Sequence, residues 1–149
     1  MNKKSFFRIA MLAGVISIAV IGCTQDDPDD DIITLPRDKF IGTWSVTSHH
    51  SDPNQAATQY WDLVIEPASA SAAEQVVMKN FDQTGTDKTV YAEVDGNDLH
   101  IPSTVVYLTG GGQQTIEGSG HLNGAALSFT YTSFDGLVVD SATATATKQ

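Results

Sequence analysis

The sequence predicts an all-β protein, built as a small antiparallel up-and-down barrel of about eight strands. Three observations lead there. From about Leu35 onward, apolar and polar residues alternate in short runs, the period of a strand with one buried face. Turn dipeptides separate the runs, Asn123-Gly124 the clearest of them. Thr, Ser, Gly and Val are common and there is one cysteine, so no internal disulfide forms and a β-core has to hold the fold.

Taken in order, the run from Phe40 to Thr47 puts Phe40, Trp44 and Val46 on one face. Tyr60 to Glu66 puts Trp61, Leu63 and Ile65 together, with Asp62 and Glu66 on the opposite, solvated face. Gln75 to Phe81 is a strand partly apolar on both faces, and Thr89 to Val94 turns Val90, Ala92 and Val94 inward and Tyr91 outward. Leu99 and Ile101 follow, Pro102 interrupts, and Thr104 to Leu108 is the next run before the loop Gly110-Gly111-Gly112. Gln114 to Leu122 presents Ile116, Gly118, Gly120 and Leu122 on one face, and Ala126 to Thr132 presents Leu127, Phe129 and Tyr131. Val139 to Thr147 alternates strictly, with Ala142, Ala144 and Ala146 on one side. Only the Ala/Ser-rich stretch Pro67 to Glu74 reads equally as a short helix or a loop.

Asp95-Gly96-Asn97-Asp98 and Asp135-Gly136 are further hairpin turns. Hairpin after hairpin makes a meander, and closing it removes the exposed edges. A two-sheet sandwich is the alternative architecture.

The N-terminus reads as an address. Lys3, Lys4 and Arg8 precede a 13-residue apolar run from Ile9 to Ile21. That is shorter than the roughly 20 residues a membrane-spanning helix needs, and it fits the apolar region of a signal peptide. Val20-Ile21-Gly22-Cys23 resembles the bacterial lipobox, in which the cysteine receives a diacylglycerol and cleavage falls just before it. The resemblance implies a signal peptide over residues 1–22, lipid attachment at Cys23, and a membrane as partner through that lipid. Asp26, Asp27, Asp29, Asp30 and Asp31 then surround Pro28 in a self-repelling, extended linker over residues 23–38. Acidic residues behind the lipidated cysteine are similar to the surface-export signal of Bacteroidota-type lipoproteins, which implies an outer-membrane, surface-exposed location.

Charge narrows the partners. The chain has 8 Lys+Arg against 18 Asp+Glu, and three of the cations lie in the first eight residues. So acidic a surface repels phosphate backbones, which excludes nucleic acid as a partner, and it does not dock on anionic lipid through its own charge.

The first strand carries Gly42-Thr43-Trp44 after Phe40-Ile41. This resembles the Gly-x-Trp motif of lipocalins, where the tryptophan plugs the closed end of an eight-stranded barrel, and it looks still more like the lipocalin-like lipoproteins of Bacteroidota. Gly118-Ser119-Gly120, Asn123-Gly124, Leu127 to Thr132 and Ala142 to Lys148 are similar to the closing strands of such domains. The resemblance spans roughly residues 39–148 and implies a lipocalin-like barrel domain over residues 39–149, with Gly42 and Trp44 as its motif core. The arginine that packs on this tryptophan in the family has no counterpart; after the tether the sequence has Arg37 alone.

No cofactor and no catalytic site are expected. His49, His50 and Asp52 follow the first strand, with His100 and His121 elsewhere. Adjacent histidines on a strand face opposite ways, a zinc site needs three or four converging ligands, and these residues read as solvated loop histidines. An enzyme would need His49 or His50 to converge with carboxylates. No Gly-x-Ser-x-Gly elbow is present, and the triple glycine opens no helix, so it does not read as a phosphate loop. Tyr60, Tyr91 and Tyr107 are the candidate ligand-binding residues, because exposed aromatic rings stack on sugars and contact lipid. The expectation is a non-enzymatic binding module for a small apolar or glycan ligand. The alternative is a structural or accessory protein of an outer-membrane surface complex.

Overall fold

The computed structural model describes residues 34–149. The signal segment, Cys23 and the acidic run lie outside the described residues. Eight strands follow one another in chain order around a closed barrel. They are β1 (Gly42–His50), β2 (Thr58–Pro67), β3 (Gln75–Lys79), β4 (Thr89–Asp95), β5 (Asp98–Tyr107), β6 (Gln113–Asn123), β7 (Ala126–Phe134) and β8 (Val139–Lys148), with short 3-10 turns η1 (Pro36–Lys39) and η2 (Phe81–Gln83). Every neighbouring pair is antiparallel, and β8 returns to β1 in a ladder from Trp44↔Lys148 to His50↔Ala142. That last ladder makes the fold a lipocalin-like barrel and excludes the sandwich.

Local chemistry moved several boundaries. β5 (Asp98–Tyr107) is one strand, not two: the register shifts between Ile101 and Thr104, and this irregularity accommodates Pro102, which has no N–H to give the ladder. Residues 68–74 form a loop rather than a helix. β3 stops at Lys79 because Asn80 turns left-handed (φ 61°) and swings Phe81 inward. The Asn123-Gly124 turn is displaced by one residue: Asn123 pairs with Ala126, and Gly124 (φ +60°) with Ala125 forms the two-residue connection.

The interior is filled by its own side chains. Trp44, Leu63, Ile65, Met78, Phe81, Ile101, Ile116 and Leu127 are all fully buried. Large residues of β7 are flanked by small ones on both sides. Phe129 lies between Gly120 on β6 and Ala144 on β8, and Tyr131 lies between Gly118 and Ala142. A Cβ on Gly118 would stand 2.5 Å from the Thr130 carbonyl and 2.6 Å from Tyr131 Cβ, so β7 approaches β6 here more closely than any residue but glycine allows.

The barrel end where the chain enters is closed by apolar packing. Phe40 and Trp44 are buried there, and Trp44 Nε1 donates to the Phe40 carbonyl at 2.8 Å. Lys148 Nζ stands 5.6 Å from the centre of the Trp44 ring, a cation over the aromatic face. Gly42 (φ +138°) sits beneath this lysine, in a backbone conformation that favours glycine. Arg37 goes elsewhere: it is buried, and its Nη1 donates to the carbonyls of Ser69 (2.6 Å) and Ala72, pinning η1 to the β2–β3 loop.

Candidate functional site

The opposite end is closed by polar groups. β1 runs four residues past Val46, its last apolar side chain, and the strand period carries Ser48 and then His50 inward behind Trp44 and Val46. The His50 side chain is fully shielded, while His49 faces out, 3.1 Å from Thr58 Oγ1. On β8 the inward series Ala146, Ala144, Ala142 ends on Asp140, which is also buried.

His50 Nδ1 lies 2.5 Å from Asp140 Oδ2. The other carboxylate oxygen accepts from Ser51 N (2.9 Å), Ser51 Oγ (3.0 Å) and Asp52 N (2.8 Å). Burial alone would push the Asp140 carboxyl up, but His50 and these donors outweigh it and hold the group below its ordinary value. A proton on Nδ1 therefore belongs to the hydrogen bond with Asp140, which turns Nε2 toward Ser48 Oγ at 2.8 Å and Asp82 Oδ1 at 3.7 Å.

Asp82 comes from η2, which folds over this end. Its Oδ1 accepts from Tyr131 OH at 2.7 Å and its Oδ2 from Gln114 Nε2 at 2.9 Å. Burial dominates its titration: desolvation raises the Asp82 carboxyl above its ordinary value against the pull of Tyr131, His50 and Gln114. Burial, and then the Asp82 charge, push the Tyr131 phenol up as well, so it stays a donor. Beside Asp82, Phe81 is inserted edge-on against Phe129 (5.4 Å between ring centres) and Tyr131 (4.9 Å).

The backbone of η2 is strained. Asn80, Asp82 and Gln83 have φ of 61°, 53° and 59°, a left-handed conformation that non-glycine residues seldom adopt. Asn80 Nδ2 anchors the turn on the Asp62 carbonyl at 2.9 Å, and its Oδ1 accepts from Gly85 N at 3.1 Å.

Ser48, His50 and Asp140 thus stand in the order of nucleophile, base and orienting acid. Catalysis by such a chain needs a place for the reacting atom about 3 Å from the nucleophile. Ser48 is fully buried and Tyr131 closes over it, so the arrangement is a sealed polar network. His50 is also not the solvated loop histidine expected: it ends the inward phase of β1.

Tyr60, Tyr91 and Tyr107 are 75%, 52% and 69% exposed on the outer face of the barrel. Their ladder partners are Thr47, Val77 and Gln113, so no two of them meet across a strand pair. Asp62 and Glu66 are on the outer face too, Glu66 paired with Lys79 at 2.7 Å. His121 pairs with Asp98 on the surface at 2.6 Å, and His100 lines a shallow groove of about 390 Å³ with Pro102, Glu117 and Thr130. Among the described residues no group of three His, Cys, Asp or Glu converges on a metal position, and no helix is long and apolar enough to cross a membrane. One apolar row crosses the outer face near the polar end. Val105, Thr115, Phe134 and Val139 are successive ladder partners, Leu137 is 90% exposed beside them, and Val105, Phe134 and Val139 are exposed.

No protein-family profile and no curated protein sequence matches this chain.

Proposed function

We propose that the protein is a membrane-anchored surface lipoprotein whose barrel is a non-enzymatic binding module for a small apolar or glycan ligand, received at the polar end. One observation carries the reading. That end holds a buried network of His50, Asp140, Asp82, Tyr131, Ser48 and Gln114, which apolar packing of the kind at the Trp44 end would replace more cheaply. Convergent polar groups beside aromatic rings are the usual furnishing of a small-molecule site. The lipobox supplies the anchor, and the chain enters the barrel at the far end from this network.

Native mass spectrometry of the protein purified from envelopes tests it. The expected result is extra mass that disappears on denaturation. Bare protein under conditions that keep the barrel folded, with no mass gained on incubation with envelope extract, would overturn it. For the anchor, Cys23→Ser should move the protein from the membrane to the soluble fraction.

The apolar row through Val105, Phe134 and Val139 favours a second reading, an accessory subunit of a surface complex. A photo-reactive residue at Leu137 should then cross-link to one partner in intact cells, and recovery of none counts against it.

A further inference from the structure

The geometry points to Phe81 and Asp82 as a built-in stand-in for the ligand: η2 is a lid whose two side chains occupy a site for a small aromatic carboxylate. This rests on the binding-module reading above and names the class of ligand.

The argument begins with what converges on Asp82. Tyr131 OH and Gln114 Nε2 donate to its two oxygens at 2.7 and 2.9 Å, and His50 Nε2 lies 3.7 Å away. All three stand on strands of the barrel wall, while the carboxylate they hold comes from a loop. A free carboxylate satisfies the same donors. Directly beside it, the slot against Phe129 and Tyr131 is filled by the Phe81 ring, held edge-on at 5.4 and 4.9 Å. An aromatic ring is the shape those two walls accept. The wall therefore offers a ring slot and an anion cradle side by side, and both are occupied from η2.

The second observation is independent of those contacts. η2 reaches the site only by holding Asn80, Asp82 and Gln83 in left-handed backbone. Strain of this kind persists only where the surroundings enforce it, and it is relieved when the segment lets go. A ligand that brings its own ring and carboxylate replaces the contacts of the lid and releases the strain. The lid thus competes with the ligand, and its removal raises affinity.

The test uses the full chain and a series of phenylacetate, 3-phenylpropionate and 4-phenylbutyrate, followed by calorimetry. Wild-type protein should bind at least one acid saturably, and trypsin cleavage after Lys88, in the connection from η2 to β4, should accelerate at least threefold as the lid lifts. Phe81→Ala with Asp82→Ala should bind the same acid at least tenfold more tightly. Adding Gln114→Leu should cost at least fivefold for the acid and leave the matching alcohol unchanged. If the double variant does not fold, Asp82→Ala alone keeps the test, since it leaves Phe81 in place and should bind acetate better than wild type does. A folded variant that takes up none of these acids, or takes acid and alcohol equally, overturns the proposal. A native-mass ligand of other chemistry on the same protein would overturn this inference and leave the binding-module reading standing.

Discussion

The two ends of the barrel are closed by opposite means. At the Trp44 end, buried apolar side chains make the closure, and the few polar groups there turn to backbone: Trp44 Nε1 to the Phe40 carbonyl and Arg37 Nη1 to Ser69 and Ala72, with Arg37 Nε left unpartnered. At the His50 end, a histidine lies between two buried carboxylates, capped by a loop with three left-handed residues. Apolar closure is cheap and tolerant of detail. Polar closure leaves each donor dependent on a named acceptor, and losing one exposes the cost of the other. The difference teaches where this molecule spends stability, and that place is the end away from the point where the chain enters.

The two carboxylates repeat the contrast on a smaller scale. Asp140 sits on a strand, receives backbone N–H groups and is held below its ordinary value; Asp82 sits on a strained turn, and burial raises it. Linkage gives the two opposite signs. The stability from Asp140 is complete above the ordinary carboxylate range and is lost as pH falls through its lowered value. Asp82 is destabilising above its raised value, and that cost fades as the pH drops from there to the ordinary value.

The largest effect should come from breaking the apolar end. Trp44→Ala should cost about 3–5 kcal/mol in urea unfolding, by lost burial and the cavity left behind. Next, Gly118→Ala forces a Cβ against the Thr130 carbonyl and Tyr131, and should cost about 1–3 kcal/mol while displacing the Tyr131 hydroxyl from Asp82. The comparison is sharpened by a pair. Asp140→Asn should lose about 1–3 kcal/mol at neutral pH, whereas Asp82→Asn should change stability by less than about 1 kcal/mol or raise it. Followed against pH, Asp82→Asn should abolish the gain on mild acidification, and Asp140→Asn should flatten the acid-side loss; matching profiles for the two variants would refute the opposite assignments. The smallest effect should be Lys148→Met, about 0.5–1 kcal/mol, from the cation over Trp44.

Much of this was legible in the residues. The alternation of β7 and β8 foretold which of their side chains face in, down to the Ala142, Ala144, Ala146 series beside the β7 aromatics. The phase also carried a signal that went unread. Ser48 and His50 continue the inward phase of Trp44 and Val46, and Asp140 that of the alanines, so the His50–Asp140 pair was within reach of period-two reasoning. Asp82 was not. It lies past the end of β3 in a turn with no period, and its partners Tyr131 and Gln114 are 49 and 32 residues away. The three tyrosines failed to converge for a related reason: period assigns a face, and a barrel distributes one face around its whole circumference.

By itself, then, the sequence determined where most strands run and which face most of them bury, because those depend on local alternation and turn chemistry. Only the tertiary structure decided that β8 closes on β1, that Lys148 covers Trp44, and that a strained turn brings Asp82 to His50. Those contacts join residues distant in the chain, and what sets them is the curvature of the closed sheet and the space left inside it.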